Sequence, residues 1–249
     1  MKEKSNWSTE SPTPDQLKEF FVQIEAGDIT KKKLESFLGN GNNKEGSKPT
    51  LSQIQAQKIM GQNFFGVKDA TEHFGVKPTE EQLKALSEIP YSEKVLKECK
   101  DTHILVAILP ISILTIREMI REKVDSKLFY NQTWYNDEDF AKEKGKVCWK
   151  LIRKNPVPSS ISKDWKEQLE LIDENEEVPT ARAMIYTIAG YYLKMGEKLF
   201  EHTYVRTSST DSDGGYVIVG YFESSGIHAY SYWDDLCSFV VGIASSWKS

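Results

Sequence analysis

The chain has 249 residues, with 32 Lys and Arg against 37 Asp and Glu and a formal net charge of −5. Hydrophobic residues make up 39% and aromatics 11%, enough to build a core and too much for a disordered chain, while the mild acidity argues against a dedicated nucleic-acid binder, whose footprint is basic. Cys99, Cys148 and Cys237 are odd in number and have neither zinc-finger nor redox spacing, so free thiols in a reducing compartment are expected.

The first residues, Met1 to Trp7, are polar and cannot form the apolar core of a signal peptide. The most apolar run, residues 104–116, contains Pro110 and falls short of the roughly 20 residues a bilayer span requires. A cytoplasmic protein without a membrane span is therefore expected. Leu17, Phe20, Phe21 and Ile24 share one helical face that Gly27 can end; Ile29, Leu34, Phe37 and Leu38 mark a second helix, entered at Thr30 and stopped by Gly39. Neither helix is long enough to be stable alone, so residues 1–38 read as a tail and a helical hairpin that packs on the rest or docks a partner. Residues 39–49, rich in Gly and Asn, read as a linker.

Residues 50–128 read as a helical segment packed on the C-terminal domain. Thr50 and Gln53 spell a capping box for a helix toward Met60, and Thr79 and Gln82 repeat it. Residues 67–74 form a short helix closed by Gly75. The continuous apolar run at residues 103–109 has the pattern of a buried strand, and residues 112–120 turn helical again. Residues 147–152 form a second strand, Trp165, Leu169 and Ile172 one face of an exposed helix, and Thr180 opens the strongest helix, ended by Gly196. From Thr203 the period drops to two: residues 204–207, 216–222, 227–232 and 238–244 are short strands split by Asp, Ser and Gly turns. The fold class is α+β, with a helical N-terminal half and a C-terminal antiparallel β meander.

Motifs with chemistry are few. Ala70, Phe74, Gly75 and Val76 before a capped helix have the outline of a helix-turn-helix, but Glu80 and Glu81 stand where phosphates would sit, so a structural hairpin is expected and no nucleic-acid partner. Lys31, Lys32 and Lys33 read as a solvated face. Asp211 and Asp213 lack the further ligands of a calcium loop, and His73, His103, His202 and His228 lie in separate elements, so no metal and no cofactor is expected. A catalytic thiol needs a base and an electropositive pocket, whereas Cys237 has Asp234 and Asp235 beside it. No nucleophile-elbow serine or phosphate loop is present. The segment from Ile227 to Val240 stands out by packing four aromatics and two carboxylates between a turn and the last strand. Such composition fits a recognition surface. It equally fits a core strand pair with aromatic cross-strand contacts.

Val178, Pro179 and Thr180 leading into a helix, then the stretch from Tyr204 to Ser209, a Gly-rich hairpin and the stretch from Val241 to Ala244 resemble the closing section of C-type-lectin-like domains of the formylglycine-generating-enzyme type. The resemblance covers residues 129–249 and implies that fold there. Ala244 stands in place of the family's terminal Arg, the acidic helix start is absent and the catalytic cysteine pair has no counterpart, so the family's oxidase activity is not implied. Trp233, Asp234 and Asp235 resemble the Trp-Asn-Asp of calcium-dependent lectins, but the partner motif is missing. The segment also resembles variable proteins of diversity-generating retroelements: Tyr230, Tyr232, Asp234, Asp235, Leu236, Cys237, Ser238 and Phe239 all belong to the outcomes of mutating adenines in Asn codons, and Trp233 does not. The whole chain resembles bacterial proteins of candidate phyla, which implies no activity.

The resulting expectation is a non-enzymatic display protein binding an unknown protein or surface ligand through His228, Tyr230, Tyr232, Trp233, Asp234, Asp235, Leu236, Ser238 and Phe239. The alternatives are an enzyme derived from the formylglycine-type fold, with Cys237 as its thiol, and a helical adaptor with a structural C-terminal domain.

Overall fold

Local capping chemistry explains most helix boundaries in the structure, a computed structural model that describes residues 13–26, 51–123 and 127–249. The expected helix at residues 29–38, the Lys31 to Lys33 run, the linker at residues 39–49 and the Thr50 cap lie outside the described residues. The chain divides into two units, Met1–Lys48 and Pro49–Ser249. In the first, α1 (Pro14–Glu25) opens with a capping box: the Thr13 hydroxyl accepts from Gln16 N (3.3 Å) while Thr13 N donates to Gln16 Oε1 (2.9 Å).

In the second unit, α2 (Leu51–Met60) precedes β1 (Phe64–Phe65), and α3 (Val67–Phe74) ends at Gly75 in the left-handed conformation. α4 (Glu80–Ala85) starts with the Thr79 and Gln82 box read from the sequence. α5 (Glu93–Cys99) leads into β2 (His103–Ile108), every residue of which is buried. α6 (Ile113–Lys123), the short α7 (Asp139–Lys142), β3 (Cys148–Arg153), α8 (Trp165–Leu169) and β4 (Glu176–Glu177) follow. α9 (Ala181–Met195) is capped by the Thr180 hydroxyl, which accepts from Ala183 N (3.2 Å), and it is buried on all sides from Ala181 to Tyr191. Helices apolar all round belong in the centre, and this one packs Tyr186 against Phe65 and Phe74 and donates its hydroxyl to Ala107 O (3.0 Å).

Two sheets complete the α+β fold. In the first, the order is β1, β2, β3, β9 (Ser246–Trp247), β4, with β1 and β2 parallel and the other pairs antiparallel. Buried polar groups cross its strands: His103 Nε2 meets Glu176 Oε1 at 3.1 Å, Arg153 Nη2 donates to the same oxygen at 3.1 Å, and Arg153 Nε donates to Ser245 Oγ at 3.1 Å. Burial pushes the Glu176 carboxyl toward neutrality, but the His103 and Arg153 contacts outweigh it and hold its pKa below the ordinary value.

The second sheet corrects one expectation. Its order is β7 (Gly226–Tyr232), β6 (Tyr216–Glu223), β5 (Tyr204–Thr210), β8 (Val241–Ile243). The antiparallel meander holds for β5, β6 and β7, but β8 runs parallel to β5, pairing Tyr204 with Val241 and Arg206 with Ile243. The physical reason is the connection: residues 233–240 carry the chain back from the end of the sheet where Tyr232 lies beside Tyr216 to the opposite end at Tyr204, so the last strand starts where β5 starts and runs in its direction. Among the described residues no helix is long and apolar enough to cross a membrane.

Candidate functional site

The loop from Trp233 to Val240 is fixed through its backbone by groups outside it. Trp165 N donates to Asp234 O (2.9 Å), Ser162 N to Ser238 O (3.1 Å) and Tyr204 N to Val240 O (2.8 Å). Arg206, at the middle of β5, is wholly buried and is the principal anchor. Its Nη2 donates to Trp233 O (3.0 Å) and to Leu236 O, while Nη1 reaches Gln168 Oε1 (3.1 Å) and Lys163 O (3.3 Å). Its carbon centre lies 5.4 Å from the Tyr232 ring centroid, and burial lowers its pKa from the ordinary value. Gln168 is sealed in turn by donating to Ser160 O (2.8 Å) and Val241 O (3.2 Å). Trp165 stacks on Tyr216 at 3.9 Å, tying α8 to β6.

The side chains of this loop go the other way. Tyr230 is 39% exposed, Trp233 54%, Leu236 41% and Phe239 83%, which is incompatible with their forming a core strand pair. Asp234, Asp235 and Cys237 are exposed too. His228, Tyr232 and Ser238 are half-buried: Tyr232 packs over Arg206, and the Ser238 hydroxyl accepts from Val240 N (3.4 Å).

Beside the loop lies an aromatic cluster. His228 stacks on Tyr130 (4.2 Å, 6° between planes), Tyr204 stacks on Tyr221 (5.1 Å, 10°), and Tyr230 stands edge-on to Tyr204 at 5.9 Å. Tyr130 arrives from residues 128–132, which line the edge of β7: Tyr130 N donates to Ile227 O (3.1 Å) and Ile227 N to Leu128 O (2.8 Å). Burial lowers the His228 pKa against the opposing pull of Glu223; its Nδ1 is sealed without a partner among the described residues. A shallow groove of about 330 Å³ runs between Tyr204, Ile218, Tyr230, Tyr232, Ser238 and Val240.

Elsewhere the structure places the other candidates in ordinary roles. Asp211 Oδ1 accepts from Asp213 N (3.1 Å) and Gly215 N (2.8 Å), a hairpin turn closed by its own carboxylate. Among the described residues no group of three or more His, Cys, Asp and Glu is arranged to hold a metal ion. Cys99 is buried and Cys148 half-buried, and burial raises the pKa of both. Sequence reasoning missed Arg206, Gln168 and the Tyr130, Tyr204 and Tyr221 rings. The one local signal was a charged residue between two buried ones, Val205 and Thr207, inside a strand. Comparison with protein-family models, with curated proteins and with solved structures finds no match.

Proposed function

We propose that the chain is a non-enzymatic binding protein that displays the side chains of residues 227–239 on a C-type-lectin-like scaffold, in the manner of retroelement variable proteins, to a protein or surface ligand. The observation carrying this reading is the separation of tasks in the loop at residues 233–240. Its backbone is held by Arg206, Trp165, Ser162 and Tyr204, while its large side chains point to solvent. A loop built this way tolerates replacement of those side chains, and Tyr and Trp there supply rigid contact area at small entropic cost. The exposed apolar residues Tyr130 and Ile161 add to the same kind of surface.

The test is a library in which Tyr230, Trp233, Asp234, Asp235, Leu236 and Phe239 are randomised together. Most members should fold and melt close to the parent. Widespread loss of folding defeats the display reading. Against a partner recovered by affinity capture, Ala at Tyr230 or Trp233 should weaken binding by about 2 kcal/mol, the scale of an aromatic anchor. Cys237→Ser should change neither folding nor binding; selective alkylation of Cys237 with loss of a measurable activity would favour the enzyme instead. A reverse transcriptase and an imperfect repeat of the C-terminal coding segment beside the gene would support the retroelement origin.

A further inference from the structure

A second cavity, of about 250 Å³, opens between the start of α9, the first residues of β3 and the end of β5. It is lined by Arg182, Lys146, Lys150, Cys148, Thr180 and Ser208 among others, and it shares no residue with the loop discussed above. Arg182 is the unusual member. It is only 9% exposed, yet no described carboxylate comes within 4.0 Å of it. Its Nη1 donates to Leu109 O at 3.3 Å, whereas Nε and Nη2 donate to no described residue. Neither atom is sealed from solvent, and Arg182 is among the residues that line the cavity. A buried cation without a counter-ion is costly. Glu143, the carboxylate that acts on it from a distance, is exposed.

The surroundings fit an incoming anion. Lys150 is paired with Glu177, which leaves Lys146 and Arg182 as the uncompensated charges on the wall. The Thr180 hydroxyl oxygen accepts from Ala183 N, so its proton is left to donate. The Ala181 amide is taken by Ser209 Oγ (3.0 Å), so the site rests on side chains rather than on the helix end. Gly145, at φ 60°, lets the backbone close over the guanidinium: a Cβ there would fall 2.3 Å from Nη2. We propose that this cavity binds a phosphate group, held by Arg182 as a fork, by Lys146 as a point charge, and by the Thr180 and Ser208 hydroxyls.

The test is thermal unfolding of the whole protein in increasing sodium phosphate against sodium chloride of matched ionic strength. A saturable rise of roughly 3–6 °C at tenfold over Kd is expected in phosphate alone. Glycerol 3-phosphate forms a second arm: a larger rise assigns a phosphate monoester and an equal one the free ion, and either supports the site. Lys146→Ala, at an exposed position, should weaken phosphate about tenfold, and Arg182→Met should abolish its effect. Should Arg182→Met fail to fold, Lys146→Ala and Ser208→Ala decide the matter. Equal rises in both salts, or an unchanged phosphate response in these variants, would overturn the proposal.

Discussion

Replacing Arg206 with Met would leave four oxygens, those of Trp233, Leu236, Gln168 and Lys163, without their shared donor. A loss of roughly 2–4 kcal/mol in urea denaturation is expected, together with faster amide exchange in the loop. Arg206→Lys should recover only part of this, because a point charge cannot reach four acceptors in the plane of a fork. Trp233→Ala and Phe239→Ala, at exposed positions, should each cost under about 1 kcal/mol, whereas Trp149→Ala, in the core, should cost about 3–5 kcal/mol. His228 supplies the pH dependence at this scale. Its folded pKa lies below the ordinary 6.5, so its contribution to stability is complete above 6.5 and is lost as pH falls through that value toward the folded one. Melting temperature should therefore drop below pH 6.5 more steeply in the parent than in His228→Phe, which keeps a ring against Tyr130 and removes the titration.

At the scale of elements, the His103, Glu176 and Arg153 contacts join β2, β4 and β3 across the first sheet. Glu176 is lowered below the ordinary 4.5, so its stabilisation is complete above that pH and disappears as pH falls through the folded value. Glu176→Gln should cost about 2 kcal/mol at neutral pH, and its deficit should close in acid as the parent carboxyl takes up its proton. Elements whose signals are local were legible in the sequence: the Thr79 and Gln82 cap, the stop at Gly75, the apolar run of β2 and the alternation of β5, β6 and β7. β1, β4 and β9 were not, since two residues cannot display a period. The direction of β8 was hidden too, because it depends on the path of residues 233–240 rather than on their composition. The aromatic segment was visible, but its exposure was not: Arg206, 27 residues before Trp233, together with the amides of Ser162, Trp165 and Tyr204, holds the loop backbone inward and leaves the rings outward, and none of these partners is a sequence neighbour.

For the molecule as a whole, the first sheet takes β1 and β2 from residues 64–108, and β3, β4 and β9 from residues 148–247. The unit Pro49–Ser249 thus has no seam at which it could part into separately folded halves. Limited proteolysis should cut first within residues 39–49 and leave a fragment that melts as one transition; an early cut near Pro156 giving two folded pieces would contradict this. The place of β9 has a further consequence. It lies between β3 and β4, and β8 lies against β5, so both sheets are completed by residues translated after the loop at residues 233–240. A message shifted out of frame or halted within residues 227–239 yields a chain missing both closing strands, which cannot complete either sheet. Under the display function proposed for this loop, folding would act as a reading-frame filter: only variants whose altered codons still lead into intact β8 and β9 would reach a stable form, and the others would be left to proteolysis.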